Sequence, residues 1–160
     1  MVFTKKYFPR QDGDPQPLTA ITERRVRFEE VDVLGMVWHG RYPSFFEDGR
    51  IAFGDRYGLT YFSYVDHQVM APVVQMHLDY KRPLRFDDLI TIETSLHWAD
   101  TARLNFVYII FDPQGQLAAA GYTVQLFTDL QGVMQLMTPP FLLEFRRQWR
   151  EGHWTQSVEP

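Results

Sequence analysis

Apolar positions recur along this chain with two different periods, and the change from one to the other divides it. Between Tyr42 and Gly58, the residues Tyr42, Phe45, Phe46, Gly49, Phe53 and Tyr57 follow an i, i+3, i+4, i+7 pattern. Glu47, Asp48, Arg50, Asp55 and Arg56 fall off that stripe, so the spacing predicts an amphipathic helix. Pro43 suits the first turn, where its missing N–H is not needed, and Gly58 is a natural stop. Gly49 and Gly54 each cost about 1 kcal/mol relative to alanine inside a helix. Because Gly49 lies on the apolar stripe, close packing against a sheet is the expected compensation.

Beyond the helix the period drops to two, the signature of strands. Val74, Met76, Leu78 and Tyr80 alternate with Val73, Gln75, His77 and Asp79, and Ile90, Ile92, Thr94, Leu96 and Trp98 alternate with Thr91, Glu93, Ser95 and His97. Leu104, Phe106, Tyr108 and Ile110 form one face of a third run. The turn signal Asp112-Pro113-Gln114-Gly115 leads into a fourth, Leu117 to Phe127. Asp129-Leu130-Gln131-Gly132 turns again. Thr138, before Pro139 and Pro140, is the expected N-cap of a short last helix carrying Phe141, Leu142, Phe145 and Trp149. Upstream of the long helix, Leu18 to Phe28 is rich in Thr, Ile and Val and reads as a first strand, and Glu29 to Arg41 reads as a loop.

The order is therefore strand, loop, long helix, then four consecutive strands whose short connections predict antiparallel pairing. This is an α+β chain: a curved antiparallel sheet of about five strands wrapped around one long central helix, plus a short C-terminal helix. Residues 1–18, with Pro9, Gly13, Pro15 and Pro17 among charges, form an irregular leader. The domain spans 19–150, and 151–160 is a loose tail.

Composition narrows the function classes. The 160 residues suit one domain, and 45% hydrophobic with 22% charged residues describes a globular chain able to build a core. A net charge of −4 gives no overall electrostatic case for nucleic acid. Cysteine is absent, which excludes disulfides, thiolate catalysis and cysteine-ligated zinc. The histidines show no metal-ligand spacing, so no metal is expected. The N-terminus lacks the apolar core of a signal peptide and no run approaches a membrane span, so a cytoplasmic protein is expected.

The densest cluster of reactive groups lies where loop meets helix. Asp32 and His39 stand seven residues apart around Gly35. A loop folded back at that glycine brings a carboxylate toward a helix start, with its unpaired N–H groups and positive dipole end. A carboxylate that attacks or activates water, an imidazole, and amides that hold an oxyanion are the parts acyl transfer needs. Taken alone, Asp32 also reads as the acceptor of an Asx turn, and His39 as an exposed residue bonded to backbone.

Phe28, Glu30, Asp32, Gly35, Val37, Trp38, His39, Tyr42 and Glu47, in this order, resemble the loop-to-helix signature of the 4-hydroxybenzoyl-CoA thioesterase family, and within it the bacterial acyl-CoA thioesterases associated with the Tol-Pal system. Asp79 to Leu89 is similar to the family's segment between two sheet strands. The resemblance spans about residues 19–148, departing at Val31, where threonine is common, and at Gly49, where alanine is common.

It implies a hotdog fold, assembled as homodimers and often homotetramers, that hydrolyses acyl-CoA or acyl-carrier-protein thioesters without a cofactor, coenzyme A being part of the substrate. Asp32 takes the place of the catalytic aspartate, proposed among members as nucleophile or as general base. His39 and Tyr42 position groups at the helix start, where backbone amides including that of Gly40 form the oxyanion hole. Glu47 either reaches back toward the loop or lies on a solvated helix face, and Glu30 bonds the loop backbone. Arg82, Arg85 and Arg103 are candidates for coenzyme A phosphates, since guanidinium groups bind phosphate well. Tyr57, Tyr61, Phe62 and Tyr64 line an acyl pocket or pack the core.

Two rivals use the same fold. A dehydratase or hydratase acts on similar thioesters but carries a shorter Asp-to-His spacing than Asp32 to His39. A non-catalytic acyl-thioester-binding protein needs neither residue, and the presence of both argues against it.

Overall fold

The computed structural model describes residues 7–154. Strands β1 (Leu18–Arg25), β3 (Val73–Tyr80), β4 (Leu89–His97), β5 (Arg103–Phe111) and β6 (Leu117–Leu126) form one antiparallel sheet in the order β1-β4-β5-β6-β3. Helix α1 (Tyr42–Tyr57) lies across it. Helix α2 (Tyr61–Asp66), a short ribbon of β2 (Val69–Met70) with β7 (Thr128–Asp129), and the C-terminal helix α3 (Pro140–Arg150) complete the chain. None of the helices in residues 7–154 is long and apolar enough to cross a membrane.

The period-two runs become strands because alternate residues find α1. Ile90, Ile92, Leu104, Tyr108 and Ile110 are all fully buried. On the helix, the expected stripe turns inward: Phe45, Phe46 and Phe53 have no exposed surface, with Phe46 stacked on Tyr108 at 4.0 Å between ring centres and Phe53 edge-on to Phe106. Burying each such ring contributes about 1.5–3 kcal/mol. Gly121 on β6 admits the Phe46 ring, since a Cβ there would stand 2.8 Å from it and 2.1 Å from the His77 carbonyl oxygen.

Four expectations need correction. The strands after α1 are not a run of neighbours: β4, β5 and β6 form the meander, but β3 pairs with β6 at the opposite edge. Residues 81–88 carry the chain across the end of the sheet, pinned by bonds from the Lys81 and Arg82 N–H groups to Ala118 O and by the fully buried Leu84. The first strand stops at Arg25 rather than Phe28, where a 3-10 turn (Phe28–Glu30) begins. Thr138 does not cap α3. Pro139 occupies that position without a side-chain bond, and the Thr138 hydroxyl accepts from Arg146 Nη1 instead. Helix α2 was not foreseen; Thr60 caps it by accepting from the Ser63 N–H.

The described part of the leader, residues 7–17, is irregular but fixed to the face of the sheet turned away from α1. Tyr7 donates to Asp79 Oδ2 at 2.8 Å, and Phe8 packs edge-on to Tyr122. Residues 1–6 and the last part of the tail, 155–160, lie outside the described residues.

Gly49 sets how closely α1 approaches the sheet. A Cβ there would meet Thr94 Oγ1 at 2.1 Å and Ile92 Cγ2 at 3.1 Å. Thr94 is fully buried, and its hydroxyl has no hydrogen-bond partner among the described residues. Helix propensity alone makes Gly49→Ala stabilising by about 1 kcal/mol; overpacking reverses the sign, for an expected loss of about 1–3 kcal/mol. Thr94→Ala vacates that space. The pair should therefore couple by about 0.5–3 kcal/mol in a double-mutant cycle. Urea unfolding of the four proteins checks this, and simple additivity would refute it.

Candidate active site

The loop before α1 is a tight hairpin. Val31 and Val37 bridge antiparallel, and Asp32 N–H donates to Met36 O at 2.8 Å. Gly35 N–H donates to Asp32 O at 3.0 Å, closing a turn in which Gly35 has φ +74°, a value that favours glycine. The tip, Val33 and Leu34, is exposed. The Asp32 carboxylate serves this turn directly: Oδ1 accepts from Leu34 N–H at 2.9 Å and from Met36 N–H at 3.3 Å. That is an Asx turn. Asp32 Oδ2 has no such partner among the described residues.

The hairpin is clamped on both sides. Val37 N–H donates to Leu84 O, Trp38 N–H donates to Glu30 O, and Met36 bridges Arg85. Glu30 is buried. Its Oε2 accepts from the Arg27 backbone N–H at 2.7 Å, and its Oε1 accepts from Arg24 Nη2 at 2.6 Å. Glu30 thus holds the loop backbone, as its sequence position suggested. Arg24 also reaches Asp48 Oδ2 on α1 at 2.8 Å and lies over the Phe45 ring.

From the hairpin the chain enters α1 through a 3-10 turn, His39–Arg41. Neither this turn nor α1 has a side-chain cap, and no acidic residue occupies either first turn. The N–H groups at such a start are open to an external acceptor, and the helix dipole favours negative charge there. His39 is exposed; its ring leans on Trp38, and its carbonyl accepts from Tyr80 OH at 2.8 Å. No hydrogen bond joins the His39 and Asp32 side chains among the described residues. The Trp38 ring covers Gly40, where a Cβ would lie 2.2 Å from it.

Tyr42 is buried, edge-on to Tyr80. Burial, and then the neighbouring Tyr80, push its hydroxyl up to about 12, against a hydrogen bond with the Leu84 backbone that pulls it down. It stays a neutral phenol near pH 7, fit for orienting groups rather than for exchanging protons.

Glu47 is exposed, with no side-chain bond back to the loop among the described residues. Its position agrees with the reading of a solvated helix face. Arg82 and Arg85 are exposed at the end of the sheet that carries the hairpin. Arg103 is elsewhere: it begins β5 opposite Leu126 and donates to Asn105 Oδ1, whereas the hairpin lies near the Phe111 end of that strand. Eight residues at about 3.4 Å each separate the two ends by about 27 Å, so one chain does not bring Arg103 to Asp32.

Two grooves flank α1. On the β1 side, a cavity of about 500 Å³ is walled by polar groups, among them Glu23, Arg27, Glu29, Arg41 and Ser44. On the other side, between α1, α2 and the start of β3, a cavity of about 590 Å³ has apolar walls that include Leu59, Tyr61, Phe62, Val65, Met70 and Phe106. Tyr61 and Phe62 therefore line a cavity, whereas Tyr57 packs in the core against Phe53. Helix α2, invisible to the periodicity, builds this wall.

The profile of the thioesterase-like superfamily matches residues 26–151. Among curated relatives, the putative acyl-CoA thioesterase YneP of Bacillus subtilis is 25% identical over 131 residues, covering 82% of this chain and 90% of that protein. The acyl-CoA thioesterase YbgC of Haemophilus influenzae is 32% identical over 83 residues, covering 51% of this chain and 61% of that protein. Among solved structures, a DHNA-CoA thioesterase from Staphylococcus aureus aligns with a TM-score of 0.76 at 22% identity, over 88% of this chain and 97% of that one. That likeness establishes the hotdog fold.

The Arg24–Glu30 pair is the feature most exposed to a single change, since their side chains retain only 16% and 6% of their surface. Glu30→Ala leaves a buried guanidinium with the more exposed Asp48 as its remaining partner and removes the acceptor for Arg27 N–H. The expected loss is about 3 kcal/mol, the scale of breaking one side of a buried pair. Denaturant midpoints measure it; a loss below about 1 kcal/mol would show that water replaces the carboxylate.

Proposed function

The chain belongs to the thioesterase-like superfamily, and from that premise we propose that it hydrolyses acyl thioesters of coenzyme A or of an acyl-carrier protein, releasing a carboxylic acid and a free thiol. The observation that carries this reading is the hairpin itself, which sets a carboxylate with one free oxygen just upstream of an uncapped helix start. The names of the relatives, acyl-CoA thioesterases among them, support the same reaction class.

In this mechanism the thioester carbonyl oxygen lies at the N–H groups of the His39–Tyr42 turn, Gly40 included. Donors preorganised there stabilise the oxyanion as the tetrahedral centre forms. Asp32 Oδ2 either attacks the carbonyl carbon, giving a mixed anhydride that water then hydrolyses, or takes a proton from the attacking water. In both cases the thiol leaves with a proton and the acyl group leaves as a carboxylic acid. His39 orients the incoming groups, and buried Tyr42 fixes the first turn that carries the amides. Glu47 borders the cavities, and the exposed Arg82, at the same end of the sheet, is placed to meet a phosphate.

We also infer a homo-oligomer, with a dimer as its unit. Strand β3 is a sheet edge on which Val74, Met76 and Tyr80 are 52%, 39% and 48% exposed on the helix-facing side. An edge with unpaired backbone and apolar side chains recruits another strand unless it is covered. Light scattering on the eluting protein should give at least twice the chain's 18.9 kDa, and a monomer at micromolar concentration would refute it.

Asp32→Asn isolates the chemistry, because an amide oxygen still accepts the Leu34 and Met36 N–H bonds while the negative charge is gone. Thiol release from a panel of short, medium, long and aryl acyl-CoAs should fall at least about 10²-fold at unchanged melting temperature. Near-normal turnover by a folded variant would overturn the role of Asp32. Absorbance change on an enoyl thioester without thiol release would point to a hydratase. Ligand-induced stabilisation without any turnover would point to a binding protein.

A further inference from the structure

The apolar cavity beside α1 has a polar floor that its own chain leaves half satisfied. Gln125 on β6 is 7% exposed and lines this cavity. Its Nε2 donates to the Ala71 carbonyl, which fixes the amide orientation, since a carbonyl there accepts only from the nitrogen. Gln125 Oε1 is therefore the group left over, buried and without a partner among the described residues. An unpaired buried acceptor costs about 1–3 kcal/mol, so such groups usually have a use.

Arg50 supplies the complementary half. It lines the same cavity from α1, and its Nη1 donates to Tyr108 OH at 3.1 Å, which in turn shares a bond with Thr123 Oγ1. Thr123 and Gln125, two residues apart on one strand, present the same face to the helix. A guanidinium carries five N–H donors, and no carboxylate lies within 4 Å of Arg50 among the described residues. Tyr64 closes the floor from α2; burial pushes its hydroxyl up while nearby Arg50 pulls it down.

A free acceptor and free donors at the base of one apolar cavity match a group that both donates and accepts. A hydroxyl does so; a methyl terminus does neither. A carboxylate cannot donate, and it would also meet the charges of Glu47 and Asp55, which line this cavity. From Tyr42 to Arg50 the helix rises about 12 Å, eight residues at 1.5 Å each. An acyl group held at the helix start and laid along α1 reaches the floor at about that distance.

We propose that this cavity holds the acyl part of the substrate and that Arg50 and Gln125 select an acyl group whose far end carries a hydroxyl, which donates to Gln125 Oε1 and accepts from Arg50. The proposal rests on the thioester-hydrolase reading above and adds the substrate class.

The test compares acyl-CoAs of matched skeleton with and without a terminal hydroxyl, one pair aliphatic and one pair aryl. Wild-type kcat/KM should favour the hydroxylated member of at least one pair by about tenfold or more, the scale of one or two hydrogen bonds otherwise left unmade. Gln125→Leu and Arg50→Met should each bring that ratio close to one. The ratio is internal to each protein, so partial misfolding of Arg50→Met does not disturb it, and Gln125→Leu leaves the Arg50–Tyr108 bond in place.

The free hydroxy acids, compared with their unsubstituted counterparts by thermal shift, report binding without turnover. Preferential stabilisation by the hydroxy acid with no thiol release would uphold the cavity's selectivity and sink the hydrolase reading. Thiol release with no preference for the hydroxyl in either pair would leave the hydrolase standing and overturn this proposal. A preference that survives in Gln125→Leu and Arg50→Met would overturn it as well.

Discussion

One guanidinium, on β1, ties together the three segments that make the site. Arg24 donates to Glu30 on the loop and to Asp48 on α1, and its plane covers Phe45, the first fully buried ring of the helix. Removing Arg24 and Glu30 from water carries a desolvation cost, and excellent geometry has to offset it. Here the second oxygen of Glu30 is taken by a backbone N–H, so the buried carboxylate has both of its oxygens bonded. The strand, the hairpin and the helix start consequently have one relative placement. Everything proposed for Asp32 and the helix amides depends on that placement, since a shift of about 1 Å is enough to cost catalysis heavily.

The same helix is seated on the sheet by the absence of side chains. Gly49 over Thr94, and Gly121 beneath Phe46, let α1 approach until rings stack at 4.0 Å. Such contact brings the Arg50 side chain down to Tyr108 OH, a polar ladder inside an otherwise apolar layer. Buried polar ladders rigidify a fold when every member is satisfied and become conspicuous when one is not. Helix seating and the character of the cavity floor are in this sense one constraint. A longer helix-to-sheet distance would leave Tyr108 without its guanidinium and the cavity without its donor.

How far the sequence could be read follows the range of the forces involved. Alternation in Ile90 to Leu96 and the stripe from Phe45 to Tyr57 are local records of burial, and they located both layers and the face each turns inward. Strand order is not local. Nothing in Val73 to Tyr80 says that its partner is β6, because that choice is made by residues 81–88 crossing the sheet end over buried Leu84. Helix α2 escaped because six residues give too short a window for a period, although Thr60 three residues before Ser63 is a readable cap. Thr138 failed as a cap because Pro139 could take the position itself, leaving the hydroxyl to Arg146. At the site, the turn geometry of Asp32 and Gly35 and the buried task of Glu30 were legible from residue type. Gln125 was not, since a glutamine inside a strand signals nothing until its amide is seen to face Ala71.

Asp32 presents the case in which a structural and a chemical reading seem to compete for one side chain. As an Asx-turn acceptor it has its Oδ1 engaged by two backbone N–H groups. Those bonds leave Oδ2 without a partner while removing the rotational freedom of the carboxylate, which is what a nucleophile or base needs in order to meet a fixed carbonyl. The turn and the chemistry use different oxygens of the same group. The turn in turn is shaped by Gly35 and held by Val37, Trp38 and Met36, whose partners on the 3-10 turn and the 84–85 segment belong to the body of the fold. On this view the Asx turn is the device that aims the carboxylate, so an ordinary loop motif and the proposed catalytic role are a single arrangement.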